Sequence, residues 1–298
     1  MNPSTFRCKH RHSGISHPIC YARYIAGEAS IIKRTHTFRS SKILLWDVET
    51  LPGEWYSFSP KTEYLPHVAQ IKPVSMSCWA AKWLFDDTIM GDVVTAEEAK
   101  NRKDKRIIES LWKLLEDADI VITHNGRNFD IPMFWTRLID NKISPPKKFQ
   151  NVDTYKVAKQ VFKFEYNSLD ALGERFGIGK KLDMSFLDWK NCLQPSDTES
   201  NKALKHMLEY CKKDIAPLLE DVYLEMLPYI PNHPNLGLWS YNSNDVCRNC
   251  ESSDIVWDGK LYATPKGIWD SWRCNSCGAV GRGEGKDHKL LDSPIKVS

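Results

Sequence analysis

The sequence predicts an α/β fold with a small separate β module near its C-terminal end, and three observations carry that expectation. Short apolar runs bounded by turn residues, Ile43-Leu44-Leu45-Trp46 and the stretch from Ala118 to Thr123, read as buried strands. Segments between and after them, KALKHMLEYCKKDIAPLLEDVYLEML foremost, carry apolar residues at helical spacing, and strands alternating with helices mark an α/β core. Further on, two C-x-x-C pairs flank a run rich in strand formers.

Composition fits such a chain. At 298 residues, 42% hydrophobic and with a mean hydropathy of −0.46, it is long enough for one sizeable core plus small modules. No apolar run approaches the roughly 20 residues that span a bilayer, so no membrane partner is expected. The N-terminus is polar and His-rich, which argues against a secretory signal. Nine cysteines, four of them in C-x-x-C pairs, suggest metal ligation in a reducing compartment rather than disulfides, hence a cytoplasmic setting. A net charge of +3 does not by itself announce a nucleic-acid binder. The basic stretches Asn101 to Arg106, Lys147-Lys148 and Lys180-Lys181 are candidates for phosphate contact, against the plainer reading of solvated charge.

In chain order, residues 1–41 form a leader holding Cys8, His10, His12, His17 and Cys20. Five potential ligands in thirteen residues suggest a small zinc site, although the spacing fits no finger or ribbon template and a flexible basic leader is the competing reading. The first strand, near 43–48, leads into Asp47 and Glu49. Residues two apart on a strand share a face. Two like charges held so close are costly unless a cation lies between them, and a metal ion is the usual answer.

Strands near 74–80 and 88–94, a helix near 104–117 and a strand near 119–123 follow. His124-Asn125-Gly126 then reads as a turn, and Asp130 opens a helix over 129–141 whose first turn accommodates Pro132. Asp130 is therefore either a helix cap or a site carboxylate. A strand near 148–152 and helices near 153–163, 168–177 and 201–227 complete the core. In the last helix Tyr210 and Asp214 stand four apart, on one face. Pro217 cannot donate to the carbonyl of Lys213, which predicts a kink just after Asp214.

This order of motifs (D-x-E at Asp47 and Glu49, N-x-x-x-F-D ending at Asp130, Y-x-x-x-D at Tyr210 and Asp214) resembles the DEDD superfamily of 3′–5′ exonucleases. The tyrosine marks the tyrosine-type subclass, since the histidine-type would place His where Glu209 stands. The likeness covers about residues 42–230 and is nearest to exonucleases similar to the proofreading domain of family B DNA polymerases, often carried by phages and bacteria. It implies a ribonuclease H-like mixed sheet flanked by helices and hydrolysis of phosphodiesters with two Mg²⁺ or Mn²⁺ ions. Hard carboxylate oxygens suit those ions better than zinc. In that scheme Asp47 bridges both ions, Glu49 and Asp214 hold the ion carrying the attacking water, and Asp130 supports the other largely through water. Tyr210 orients the nucleophile. Asp153, in a segment that also looks like the family, reads better as a cap or structural support than as a ligand. DNA is the first choice of substrate; RNA, a branched junction or a purely binding role are the alternatives.

Residues 231–245 read as a linker, 246–282 as a zinc ribbon and 283–298 as a disordered tail. Cys247, Cys250, Cys274 and Cys277 form two knuckles separated by 23 residues, and four thiolates select zinc. Gly259 and Pro265-Lys266-Gly267 are the turn candidates of the intervening hairpin. Its aromatics, Trp257, Tyr262, Trp269 and Trp272, serve either as the module's core or as stacking platforms for unpaired bases. A replication or repair protein is the other partner such a ribbon suggests, and a monomer is the default state.

Overall fold

The computed structural model describes residues 41–62, 64–239, 246–264 and 267–283. The N-terminal set Cys8, His10, His12, His17 and Cys20 and the tail from 284 lie outside them. The chain divides into two units, one containing Lys42–Met226 and the other Leu227 onward.

The first unit is built on a five-stranded sheet of β1 (Ile43–Leu51), β4 (Ser75–Trp83), β5 (Ile89–Val93), β6 (Ile120–Thr123) and β7 (Gln150–Asp153) in the order β5-β4-β1-β6-β7. β1 is antiparallel to β4, as is β4 to β5, whereas β1, β6 and β7 run parallel. The sheet is thus mixed. A short side hairpin, β2 (Glu54–Trp55) and β3 (Gln70–Lys72), follows β1. The helices are α1 (Ala96–Asn101), α2 (Lys105–Asp117), α3 (Asp130–Asp140), α4 (Thr154–Val161), α5 (Leu169–Arg175), α6 (Phe186–Asn191), α7 (Asp197–Lys213) and α8 (Glu220–Met226).

Both sheet faces are covered, which is why β4 and the first half of β1 are buried without alternation. On one face Trp46 meets Phe134 of α3 edge-on at 5.9 Å, and Trp79 Nε1 donates to the Ile107 carbonyl of α2 at 2.8 Å. The opposite face carries Asp47 beside Ala80 and Glu49 beside Cys78, with Cys211 of α7 lying over them. The expected kink is present: between α7 and α8, residues Asp214–Leu219 form a widened turn, non-helical at Ala216 (φ −143, ψ 128) just before Pro217.

Among the boundaries that differ from expectation, two have a clear physical reason. β4 continues past residue 80 to Trp83 because the buried Lys82 ammonium is met by Glu220 of α8 at 2.5 Å. α7 begins at Asp197, where the Ser196 hydroxyl accepts from the Glu199 amide at 3.4 Å, well ahead of the apolar spacing used to place it. Lys82→Met should cost about 3–5 kcal/mol in urea unfolding, because Glu220 is left charged in a dry site. Adding Glu220→Leu should recover most of that loss, and a double variant as unstable as the single one would disprove the account.

In the second unit, β8 (Ile255–Thr264), β9 (Gly267–Cys274) and β10 (Val280–Arg282) form an antiparallel sheet in the order β10-β9-β8. Gly259, expected at a turn, lies instead inside β8 with φ +71, where the register to β9 shifts between Trp257 and Leu261. A bulge needs such a left-handed position, and glycine takes it without strain. Within the stretch expected as linker, residues 231–239 make specific contacts. Leu236 is buried, its amide donates to the Arg248 carbonyl at 2.8 Å, and Arg248 in turn reaches the His233 carbonyl at 2.8 Å.

Candidate metal and nuclease site

Asp47 and Glu49 project from the sheet face that α7 covers, and Asp214, still in helical conformation at the end of α7, faces them. One carboxylate oxygen from each of these three residues lies within 4.8 Å of the others. Asp130 sits just behind. Only 2% exposed, it accepts the Val48 amide at 3.0 Å and so ties the start of α3 to the strand segment between the two acids. Asp130 is thus brought to the cluster but does not share its oxygen triad. Tyr210, one turn before Asp214, is buried beside it.

Crowding and burial govern the ionisation of this group. Burial first, then Asp214, raises Asp47 to about 6, while burial and then Asp47 raise Glu49 to about 8. Asp130 is pushed up by burial and then by Asp47. Burial also raises Asp214, although Lys181 opposes the shift. Burial and then Asp214 raise the Tyr210 phenol to about 12. Asp214 Oδ1 is buried with no hydrogen-bond partner among the described residues. Three converging carboxylates and an orphaned acceptor are a donor set that fits hard divalent cations.

Two neighbours of the site were not singled out by motif. Lys181 Nζ donates to Asp214 Oδ2 at 2.5 Å and reaches the Tyr210 hydroxyl at 3.5 Å. Its loop is held by Asp170, which accepts the Lys181 amide at 2.8 Å. In sequence it is one of two adjacent lysines, and only the fold separates it from Lys180, which pairs with Glu174. Cys211, packed under the site, directs its thiol at the Asp47 carboxylate (3.5 Å) and carbonyl (3.6 Å). Asp153 acts as support. It caps α4 through the Tyr155 and Lys156 amides and accepts the Asn125 amide at 2.8 Å, shaping the turn that precedes Asp130. In the other basic stretches Arg102 pairs with Glu54, Arg106 with Asp92 and Glu98, and Lys147 with Glu116.

The second cluster is made of sulfur. Cys247, Cys250, Cys274 and Cys277 hold their Sγ atoms within 4.8 Å of one another, with Cys247–Cys277 at 3.7 Å and Cys250–Cys274 at 3.6 Å. A tetrahedral ion with metal–sulfur bonds of about 2.3 Å spaces its sulfurs about 3.8 Å apart. The two knuckles repeat one design. The Cys247 and Cys274 amides each donate at 2.8 Å to a carbonyl five residues on, and the left-handed Glu251 (φ 59) and Gly278 (φ 83) close the turns. Ser252 and Ser276, one from each knuckle, join at 2.6 Å.

Comparison with known proteins adds the following. Residues 85–223 match the family described as the RNase_H superfamily, a span that takes in Asp130, Tyr210 and Asp214 and begins after β1. The fold of the first unit is ribonuclease H-like. No curated protein matches the sequence. Among solved structures, the chain is similar to the family B DNA polymerase from the hyperthermophilic archaeon Pyrobaculum calidifontis, at 17% identity and a TM-score of 0.43, covering 65% of this chain and 26% of the polymerase. The chain therefore spans about a quarter of that protein's length.

Proposed function

We propose that the first unit is a divalent-metal-dependent 3′–5′ exonuclease acting on single-stranded DNA or DNA 3′ ends, and that the four cysteines hold a structural zinc ion. The observation that carries the nuclease reading is the convergence of Asp47, Glu49 and Asp214 oxygens within 4.8 Å on a ribonuclease H-like sheet. Mg²⁺ or Mn²⁺ would be held by these three carboxylates, with Asp130 behind them, and two such ions supply an activated water and charge stabilisation at the leaving oxygen.

The chain's own groups do the positioning. β1 holds Asp47 and Glu49 side by side, and Asp130 keeps that strand end from moving through the Val48 amide. The raised phenol of Tyr210 stays protonated at neutral pH, so it can orient a water by hydrogen bonding but cannot remove its proton. Tyr210→Phe should accordingly lower kcat by about 10- to 100-fold, the worth of one hydrogen bond to a charged group, with KM little changed. Undiminished turnover in that variant would remove the role.

The direct test is Mn²⁺-dependent digestion of a 5′-labelled single-stranded DNA, with a matched duplex and RNA alongside. A ladder shortening from the 3′ end is expected. Internal cuts would make the protein an endonuclease, preference for RNA would change the substrate, and no cleavage at all would leave a binding module.

A further inference from the structure

The three-stranded sheet of the second unit has two faces of different character. Residues paired directly across an antiparallel ladder share a face, and successive residues alternate between faces. Trp257, Trp272 and Gly281 are register partners and so lie together, with Cys274 two residues along on the same side. Trp272 is 6% exposed, and a Cβ at Gly281 would meet its ring at 2.2 Å. On this face Trp272 and Cys274 are buried, while Trp257 is 44% exposed.

The other face carries Tyr262 opposite Trp269, Arg273 between Val256 and Val280, and Arg282 opposite Ser271. Tyr262 is 53% exposed, and Arg273 and Arg282 are exposed as well. The Arg282 guanidinium lies 4.3 Å from the Trp269 ring centroid and 5.8 Å from that of Tyr262. Asp270, an acidic residue of the same strand, belongs to the opposite face.

Tyr262 is exposed and Trp269 half-buried, and what sets this face apart is the pairing of these two rings with two exposed arginines. Ring faces and guanidinium planes both stack on unpaired bases, and guanidinium groups pair with phosphates. A duplex hides its base faces and would engage only the arginines. A protein interface is depleted of charge at its centre, whereas here a cation lies over the central ring. From this complementarity we infer that the face formed by Tyr262, Trp269, Arg273 and Arg282 binds single-stranded DNA, with bases stacked on the rings and phosphates against the arginines. The choice of DNA as the polymer rests on the nuclease reading above; the stacking does not.

The test measures anisotropy of a labelled oligo(dT) of about 12 nucleotides, within the span such sites cover. The full chain is used, zinc-loaded, carrying Asp47→Asn to prevent digestion and with no added Mg²⁺ or Mn²⁺. Tyr262→Ala and Arg282→Ala should each weaken binding about 10-fold, while Tyr262→Phe keeps the parental affinity because the ring and not the hydroxyl does the stacking. Unchanged zinc content in each variant shows that the module is still folded. Parental affinity in both alanine variants, or equal affinity for a duplex of the same length, overturns the inference. Tighter binding of oligo(rU) overturns the choice of DNA. Concentration-dependent dimerisation abolished by the same variants would make the face a contact between copies of the chain. Binding at this face without any digestion by the wild type sinks the nuclease reading alone, and digestion without such binding sinks this inference alone.

Discussion

Asp47→Asn is expected to abolish metal-dependent hydrolysis and, at the same time, to raise the melting temperature of the metal-free protein at pH 8. The first effect follows from position, since Asp47 interacts with each of the other acids, Glu49 beside it on β1, Asp214 and Asp130. Metal-assisted charge stabilisation is worth several kcal/mol, so kcat should fall by at least about 1000-fold. The second effect follows from the electrostatics. Asp47 is raised from 3.8 to about 6 and Glu49 from 4.5 to about 8 in the fold. Groups raised above their unfolded values contribute stability that is fully present below the unfolded pKa and is lost as pH rises through the folded one. The wild type should therefore weaken between about pH 4 and 8, and at pH 8 the charge on Asp47 alone costs roughly 2–3 kcal/mol. Neutralising it should raise the metal-free melting temperature by about 5–10 °C. At pH 5, between the unfolded and folded values, the difference should shrink to about half of that at pH 8, because the unfolded Asp47 is still ionised there. Saturating Mn²⁺ should invert the order, because an ion that binds the folded state stabilises it by mass action and the wild type binds it better. Melting curves at the two pH values, with and without Mn²⁺, check every part of this. A variant that melts below the wild type at pH 8 without metal, or that keeps its turnover, contradicts it.

The site's skeleton was legible because it obeys short-range periodicities. A two-residue spacing on a strand puts Asp47 and Glu49 on one face, a four-residue spacing on a helix aligns Tyr210 with Asp214, and Pro217 announces the kink that follows Asp214. Lys181 was not legible, since nothing local distinguishes it from Lys180; its role depends on a loop anchored by Asp170 and on a carboxylate 33 residues away. Lys82 shows the same limit in the fold. A lysine reads as a strand end, yet Glu220, 138 residues on, lets the strand run through it. In the second unit the cysteines declare the knuckles, but which of four aromatic residues is core depends on register, and the bulge at Gly259 sets that register. The partners of the basic runs are equally non-local, since Arg102 and Arg106 find carboxylates brought near only by folding.

Cys274→Ser should remove one equivalent of zinc per chain and open the second unit to proteolysis. Among the described residues from 227 onward, the buried apolar side chains apart from cysteine are Leu227, Ile230, Leu236, Trp272 and Ala279. So small a core does not order a three-stranded sheet by itself, and units of this size normally need a metal or disulfides. The sulfur spacing of 3.6–3.7 Å across the two knuckles matches a tetrahedral ion, which would be worth on the order of 10 kcal/mol of folding free energy. Loss of one thiolate should weaken zinc binding by at least about 100-fold, the scale that even changes beyond the ligands themselves can reach. Acidification should also release the ion, because protons compete for the sulfurs. The measurements are zinc content by elemental analysis and the rate of tryptic cleavage after Arg248, Lys260 and Arg273. Counting the loss rather than the total keeps the result independent of any ion bound by the N-terminal cysteines and histidines. A variant that keeps its full zinc complement, or that loses it without becoming cleavable, would mean that the four cysteines neither bind the ion together nor depend on it to hold the sheet.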